Sequence, residues 1–211
     1  MVSFDLDGTL LRDPAGTTLA ERLGIGAKFN RYDELLHQGQ ITKRECLRKQ
    51  FALFRGVHVS RIHELMRSAP RVGRIRETVK RFKSKGLMVV VLSDNPTIIS
   101  DFFLDFGFDR TLGSKARLRG GVFMGNAELV DQKLPPLRRF CRSEGIPLSE
   151  CIHVGDWIND IPVFKAVGLS VALNPKNGKV ARNARLVVRT HSLLDVYRML
   201  LPFITAPNSY S

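Results

Sequence analysis

The chain has 211 residues, of which 44% are hydrophobic, and this suffices for one well-packed domain or for one domain with a substantial insertion. Such a composition excludes a chain that is disordered as a whole. The formal net charge of +13 predicts a positive surface potential that attracts anions such as phosphate esters, nucleic acids or acidic membranes, without selecting among them.

Cysteine usage and hydropathy indicate the compartment. The three cysteines, Cys46, Cys141 and Cys151, are odd in number and lack a C-x-x-C spacing, so they predict neither a disulfide framework nor a zinc site. No apolar stretch approaches the roughly 20 residues of a membrane span, and no signal-peptide pattern opens the sequence. We therefore predict a cytoplasmic protein with reduced thiols and no membrane association.

The first third of the chain changes from strand to helical periodicity. Apolar and polar side chains alternate over residues 1–6, which predicts a short strand that runs directly into Asp5 and Asp7. From residue 19 to about residue 67 the apolar spacing becomes helical, which indicates a small helical unit. An amphipathic helix follows over residues 74–85 and ends at a glycine.

Strands and helices then alternate along the rest of the chain. Residues 87–92 read L-M-V-V-V-L, and such an apolar run is typical of a parallel strand buried on both faces. Residues 111–124 predict a β-hairpin. The remaining predicted helices cover 97–106 and 136–144 or start at 161 and 192, and the remaining strands cover 151–154, 169–173 and 186–188. This order predicts an α/β fold with a doubly wound, mostly parallel sheet.

Polar clusters follow three of the predicted strands, where ligands of such sheets bind. The segments D-L-D-G-T and G-D-W-I-N-D place four carboxylates at the ends of two strands that could be neighbours: Asp5, Asp7, Asp156 and Asp160. Crowded carboxylates repel one another unless a cation neutralises them, and hard oxygen ligands suit Mg²⁺. The sequence therefore predicts a Mg²⁺-dependent phosphate site.

The same segments carry a family resemblance. D-L-D-G-T-L at residues 5–10 resembles the first motif of the haloacid dehalogenase (HAD) superfamily, and Ser93, Lys133 and the segment from Gly155 match the other three motifs in order. The resemblance extends from Met1 to about Ala172. Four motifs in order, each on a suitable element, make this resemblance specific.

The resemblance also implies a division into domains. The helical insertion between the first two motifs is similar to the cap of phosphoserine phosphatases. It implies an HAD-like core at residues 1–13 and 73–211 and a helical cap domain at residues 14–72.

The resemblance assigns the acidic residues to steps of a phosphatase reaction. Asp5 would attack phosphorus and form an aspartyl-phosphate, while Asp7 would protonate the leaving group and later activate water. Asp5, the backbone carbonyl of Asp7 and Asp156 would hold Mg²⁺. Asp160 would not contact the metal directly but would orient a metal-bound water or Lys133.

Other residues are expected to bind the phosphoryl group. The candidate donors are Ser93, the backbone N–H of Asp94 and the ammonium of Lys133. Asn159 would contact the substrate or hold the fourth motif in shape. Lys115 is the rival lysine, but it precedes the predicted hairpin rather than a helix.

The predicted function is hydrolysis of a small phosphorylated metabolite. Phosphoserine phosphatases bind the substrate amine with an acidic residue and its carboxylate with a cap arginine, and these positions fall here near Pro14 and Gln50. Both departures argue against phosphoserine as the substrate, although Glu21 and Arg48 lie close enough to substitute if the cap is shifted.

Two alternatives are open. One is a phosphatase that acts on nucleotide or nucleic-acid ends, although an inserted cap would obstruct a polymer. The other is a non-catalytic, basic nucleic-acid-binding protein on the same scaffold, although binding alone does not need a nucleophile beside an acid. The sequence predicts no oligomeric state.

Overall fold

The computed structural model describes residues 1–204, so residues 205–211 of the predicted core domain lie outside the described residues. The strands are β1 (Val2–Phe4), β2 (Val89–Pro96), β3 (Arg110–Arg119), β4 (Val122–Glu128), β5 (Ile152–Gly155), β6 (Leu169–Leu173) and β7 (Leu186–Val188). They form one sheet in the order β4-β3-β2-β1-β5-β6-β7. Neighbouring strands are parallel except in the β3–β4 hairpin, which confirms the predicted α/β fold.

Helices connect the strands. They are α1 (Ala15–Arg22), α2 (Gly26–His37), α3 (Lys43–Leu53), α4 (Val59–Met66), α5 (Ile75–Lys83), α6 (Thr97–Ser100), α7 (Leu134–Ser143), α8 (Ile161–Phe164), α9 (Gly178–Asn183) and α10 (Leu193–Ile204). The first four lie between β1 and α5, where the sequence predicts a helical unit. Short 3₁₀ segments occur at Asp101–Phe106, Leu148–Glu150 and Ile158–Asp160.

The sheet is covered on both faces, and β2 shows how its apolar run serves this arrangement. Val89 and Val91 are fully buried in the cluster that includes the apolar faces of α5 and α10. Val90 and Leu92 point the other way and pack with Leu137 of α7. A strand enclosed in this way must be apolar at every position, as residues 87–92 are.

Aromatic side chains of α5 and α10 pack together against β1 and hold it in place. Phe82 of α5 is fully buried, with its ring centroid 5.0 Å from that of Tyr197 in α10 and 6.0 Å from that of Phe4. Phe4 pairs in register with Val91 of β2 and Val154 of β5. Residues that follow these three central strands therefore meet at one edge of the sheet.

The hydropathy and thiols of the described chain are consistent with this core. Among the helices of residues 1–204, none combines the length and the apolar character that a bilayer crossing requires. All three cysteines are buried free thiols.

Candidate active site

The loop after β1 lies against the end of β5. Gly8 adopts φ +78°, and a Cβ atom at this position would lie 2.1 Å from Oδ2 of Asp156. The hydroxyl of Thr9 donates a hydrogen bond of 3.1 Å to Oδ1 of Asp156. Only glycine therefore allows the first motif to approach the carboxylate of the fourth.

Lys133 joins the first motif to the fourth. Its Nζ atom lies 2.7 Å from Oδ1 of Asp5 and 2.6 Å from Oδ1 of Asp160, and the side chain is 2% exposed. Lys115 lies on β3 beside a different cavity, so it does not compete for this position. The structure thus brings Asp5, Lys133 and Asp160 together in one buried ion cluster.

Asp160 is held on both of its oxygens. Besides Lys133, Oδ1 lies 3.0 Å from Nε2 of His153, whose Nδ1 lies 2.8 Å from the hydroxyl of Ser3. Oδ2 accepts hydrogen bonds of 3.1 Å from the backbone N–H groups of Asp156 and Trp157. Asp160 therefore shapes the turn that carries Asp156.

Asp7 is connected to the second motif. Its Oδ1 accepts a hydrogen bond of 2.8 Å from the backbone N–H of Ala15, and its Oδ2 accepts one of 2.7 Å from Nδ2 of Asn95. The same Asn95 amide donates to the hydroxyl of Ser93 at 3.2 Å. Asn95 thus fixes Asp7 relative to Ser93.

The side chain of Asp94 points toward the insertion. Its Oδ2 lies 2.6 Å from Nζ of Lys43, the first residue of α3, and 3.4 Å from Nδ2 of Asn159. The Oδ1 atom of Asn159 is buried and has no hydrogen-bond partner among the described residues. An acceptor of this kind suits a water molecule in a polar site.

Burial shifts the titration of the carboxyls in this cluster. It raises the pKa of Asp7 to about 6, against the hydrogen bonds from Ala15 and Asn95. Burial, reinforced by the charge of Asp160, also raises the pKa of Asp156 to about 6. For Asp5, burial raises the pKa well above its ordinary value, although Lys133 opposes the shift.

Asp160 and Lys133 stay ionised in spite of their burial. Burial would raise the pKa of Asp160, but the charge of Lys133 and the hydrogen bond from His153 hold it well below the usual range. Burial would lower the pKa of Lys133, but the carboxylates of Asp160 and Asp5 raise it above the usual range. Burial lowers the pKa of His153, which favours a neutral imidazole.

The acidic cluster can hold a cation. Carboxylate oxygens of Asp5, Asp156 and Asp160 lie within 4.8 Å of one another. Asp5 accepts a hydrogen bond from the backbone N–H of Leu6 on Oδ1, and Asp156 accepts one from the hydroxyl of Thr9 on Oδ1, whereas both oxygens of Asp160 accept two each. This donor set suits a hard divalent cation bound by one oxygen each of Asp5 and Asp156.

A cavity of about 760 Å³ opens above these carboxylates. Asp5, Asp7, Asp94, Asp156 and Asn159 all line it, while Ser93 and Lys133 are buried beside them. Residues of the insertion form the opposite wall, with Pro14, Leu36, His37 and Lys43. Five of the residues that the sequence singles out therefore line one cavity.

Comparison with known proteins decides the family. The family model of haloacid dehalogenase-like hydrolases matches residues 2–165. The chain belongs to this family. A phosphoserine phosphatase of Methanocaldococcus jannaschii is 24% identical over 181 residues, which cover 83% of this chain and 86% of that protein. A phosphoserine phosphatase of Polaromonas sp. is 30% identical over 190 residues, which cover 83% of this chain and 79% of that protein.

Solved structures show the same fold for this family member. A phospho-aspartyl intermediate analogue of phosphoserine phosphatase matches with a TM-score of 0.75 and 23% sequence identity, over 97% of this chain and 98% of that one. The likeness therefore extends to the insertion as well as to the sheet.

Three residues of the site were not singled out from the sequence. His153 supports Asp160, Asn95 supports Asp7, and Lys43 pairs with Asp94. A polar residue within the apolar strand β5 is a signal for His153, and direct adjacency to the second motif is a signal for Asn95. Lys43 has no such signal in the sequence.

Proposed function

We propose that this hydrolase is a Mg²⁺-dependent phosphomonoesterase that acts on a small phosphorylated metabolite through an aspartyl-phosphate on Asp5. The observation that carries the proposal is the contact of 2.7 Å between the Asp5 carboxylate and the Lys133 ammonium, beside Asp156 and beneath the cavity. A carboxylate that attacks a phosphate dianion needs positive charge at its side, and Lys133 supplies it. The named phosphoserine phosphatases support the same class of reaction.

The first step is attack of Asp5 on phosphorus in line with the ester oxygen, which splits one difficult displacement into two. Lys133 remains protonated and offsets negative charge on Asp5 and on the phosphoryl oxygens. The hydroxyl of Ser93 and the backbone N–H of Asp94 donate hydrogen bonds to the remaining oxygens. Asp160 keeps the Lys133 ammonium in position.

Asp7 is the general acid and then the general base. A pKa of about 6 lets its carboxyl give a proton to the leaving oxygen and take one from the hydrolytic water near neutral pH. Hydrogen bonds from Ala15 and Asn95 hold the carboxyl in one orientation for both transfers.

Mg²⁺ is the cation that this donor set fits. Asp5, Asp156 and the backbone carbonyl of Asp7 would hold it, and Asn159 Oδ1 would accept a hydrogen bond from its hydration shell. Bound Mg²⁺ polarises the phosphoryl group and offsets the charge of the carboxylates. Asp160 acts indirectly, by holding Lys133 and the turn that carries Asp156 in position.

Residues 14–72 serve as a cap over a core that, within the described chain, is formed by residues 1–13 and 73–204. Two observations support this division: the insertion supplies one wall of the cavity, and Lys43 reaches Asp94 across it. A cap that closes over the site excludes water and favours a small substrate over a polymer. A cytoplasmic metabolite is the substrate that fits this proposal.

Phosphate release from p-nitrophenyl phosphate, with Mg²⁺ or with EDTA, tests the proposal. We expect Mg²⁺-dependent turnover, a loss of at least about a thousandfold in kcat for Asp5→Asn, and acid-stable, alkali-labile phosphoprotein in the wild type only. The matched control is Asp13→Asn, an exposed carboxyl in the same loop that does not line the cavity. Full turnover by Asp5→Asn would rule out the proposal.

A further inference from the structure

The positions that would recognise phosphoserine are not suited to it in this chain. Pro14 lines the cavity and offers no side-chain acceptor to an ammonium group. Gln50 is 5% exposed and donates a hydrogen bond of 2.9 Å to Asp33 within the insertion. Neither Glu21 nor Arg48 is among the described residues that line the cavity. The amine of an amino-acid substrate would therefore find no acidic partner at the family position.

The charges that do line the cavity favour an anion. Outside the catalytic carboxylates, its charged lining consists of the cations Arg12, Lys43 and Lys176 and the acids Asp94 and Asp131. Both acids already face cations. Asp94 lies 2.6 Å from Lys43, and Asp131 has a longer contact of 3.8 Å with an arginine of α3.

Arg12 and Lys176 are the uncompensated cations of this lining. Within residues 1–204, no carboxylate lies within salt-bridge distance of either side chain. They come from different parts of the core, the loop after the first motif and the loop after β6, yet they reach the same cavity. Both are long and exposed, so they can adjust to an anion without disturbing the fold.

We infer that the leaving group of the substrate carries a second anionic group, a carboxylate, and no amine. Arg12 and Lys176 would bind that second anion, while the phosphoryl group lies at Asp5. This inference rests on the proposed phosphatase activity and names the class of ester that the site selects. An ammonium on the leaving group would instead be repelled by both cations.

A panel of four esters with the same two-carbon reach tests the inference. Ethyl phosphate has neither group, phosphoethanolamine has the amine, 3-phosphooxypropanoate has the carboxylate, and O-phosphoserine has both. We expect kcat/KM for 3-phosphooxypropanoate to exceed that for ethyl phosphate by about tenfold or more, because one charge-assisted contact is gained. Phosphoethanolamine should be poorer than ethyl phosphate, and O-phosphoserine poorer than 3-phosphooxypropanoate.

Two substitutions assign the effect to residues. In Arg12→Gln/Lys176→Gln the preference for 3-phosphooxypropanoate over ethyl phosphate, expressed as the ratio of their kcat/KM values, should disappear, mainly through a higher KM for 3-phosphooxypropanoate. Lys179→Gln removes an exposed lysine that does not line the cavity and should keep the wild-type preference. A preference that survives in the double variant, or better turnover of phosphoethanolamine than of 3-phosphooxypropanoate, would overturn the inference.

Failure of the underlying activity gives a different result. If the wild-type protein turns over none of the four esters and no p-nitrophenyl phosphate with Mg²⁺, the proposed function is wrong and this inference falls with it. Turnover of ethyl phosphate without any gain from the carboxylate would overturn the inference alone.

Discussion

Three aspartates of this site differ in chemistry because their hydrogen-bond partners differ. Asp160 accepts four hydrogen bonds, one of them from a buried ammonium, and is held ionised. Asp7 accepts only two, from neutral amide groups, and its pKa rises to about 6. Asp156 shares the raised pKa but lies beside Asp5 in the acidic cluster that could hold a cation. These divergent environments support the proposal that Asp7 transfers protons and that Asp160 holds neighbouring groups in position.

At the scale of one residue, Gly8→Ala should disable the site. A φ of +78° costs a non-glycine residue about 1–2 kcal/mol, and the new methyl group would overlap the carboxylate of Asp156. Displacing that carboxylate should lower kcat/KM for p-nitrophenyl phosphate by about a hundredfold or more. Gly24→Ala is the control, because Gly24 has φ +71° and open space around it. This variant should lose a similar amount of stability but keep its activity. Wild-type activity in Gly8→Ala would contradict the geometry.

The residues inside the motifs could be predicted from the sequence, but the residues that hold them in position could not. Asp5, Lys133 and Asp156 were identified because the motif order implies that they converge, and the structure brings them together. His153 and Lys43 lie outside the motifs and act through contacts to the motif residues Asp160 and Asp94. A contact between Lys43 and Asp94 depends on how the insertion packs on the core, which local periodicity does not contain.

At the scale of elements, the strands between polar turns were predicted better than the short helices. The strands β6 and β7 match their predicted bounds, because each is a mostly apolar segment between polar turns. The helix expected over 97–106 is one α-helical turn followed by a 3₁₀ segment, and the helix expected from 161 is likewise one turn. These segments, and the unpredicted α9, are too short for apolar periodicity to distinguish their type.

The N-terminus of α3 is tied to the core by Lys43. A lysine at this end of a helix is unfavourable toward the helix dipole, so its position there is explained by the contact with Asp94 rather than by helix stability. The pair is partly exposed, with side-chain exposures of 36% and 17%. It therefore acts as a modest link between the insertion and the second motif.

Removing this link should weaken closure of the proposed cap. We expect Lys43→Gln and Asp94→Asn each to raise KM for p-nitrophenyl phosphate, and the double variant to add little, with a coupling of about 0.5–1 kcal/mol. Arg31→Gln removes an ion pair of 3.0 Å that lies within α2 alone, and it should leave KM unchanged. Additive effects of the two substitutions would show that the pair does not act as a unit. Steady-state kinetics at low and high salt measure both the effect and its screening.

At the scale of the whole molecule, the net charge of +13 acts on the same class of ligand as the cavity. A positive surface raises the encounter rate with anionic esters and makes it sensitive to ionic strength. Attraction of anionic esters therefore explains the high net charge without a nucleic-acid partner. The buried acidic cluster differs from this positive surface, because its carboxylates favour a cation rather than an anion.

That cluster links stability to pH and to metal. In the metal-free fold the raised pKa values of Asp7 and Asp156 mean that both carboxyls keep protons between about pH 4 and pH 6, where the unfolded chain has released them. These two groups therefore stabilise the fold below pH 4, and that contribution is lost as pH rises through 6. His153, with its lowered pKa, opposes this trend as its imidazole becomes protonated in the unfolded chain.

Mg²⁺ should compensate for the loss, because at the proposed site it would bind the deprotonated carboxylates and compete with protons. We expect the increase in Tm between EDTA and saturating Mg²⁺ to be larger at pH 7.5 than at pH 5, measured by calorimetry in matched ionic strength. In Asp156→Asn the metal-free protein should be more stable than the wild type at pH 7.5, since one buried charge is gone, and Mg²⁺ should add little to its Tm. A Mg²⁺-induced increase that is equal at both pH values would mean that the ion binds away from these carboxyls.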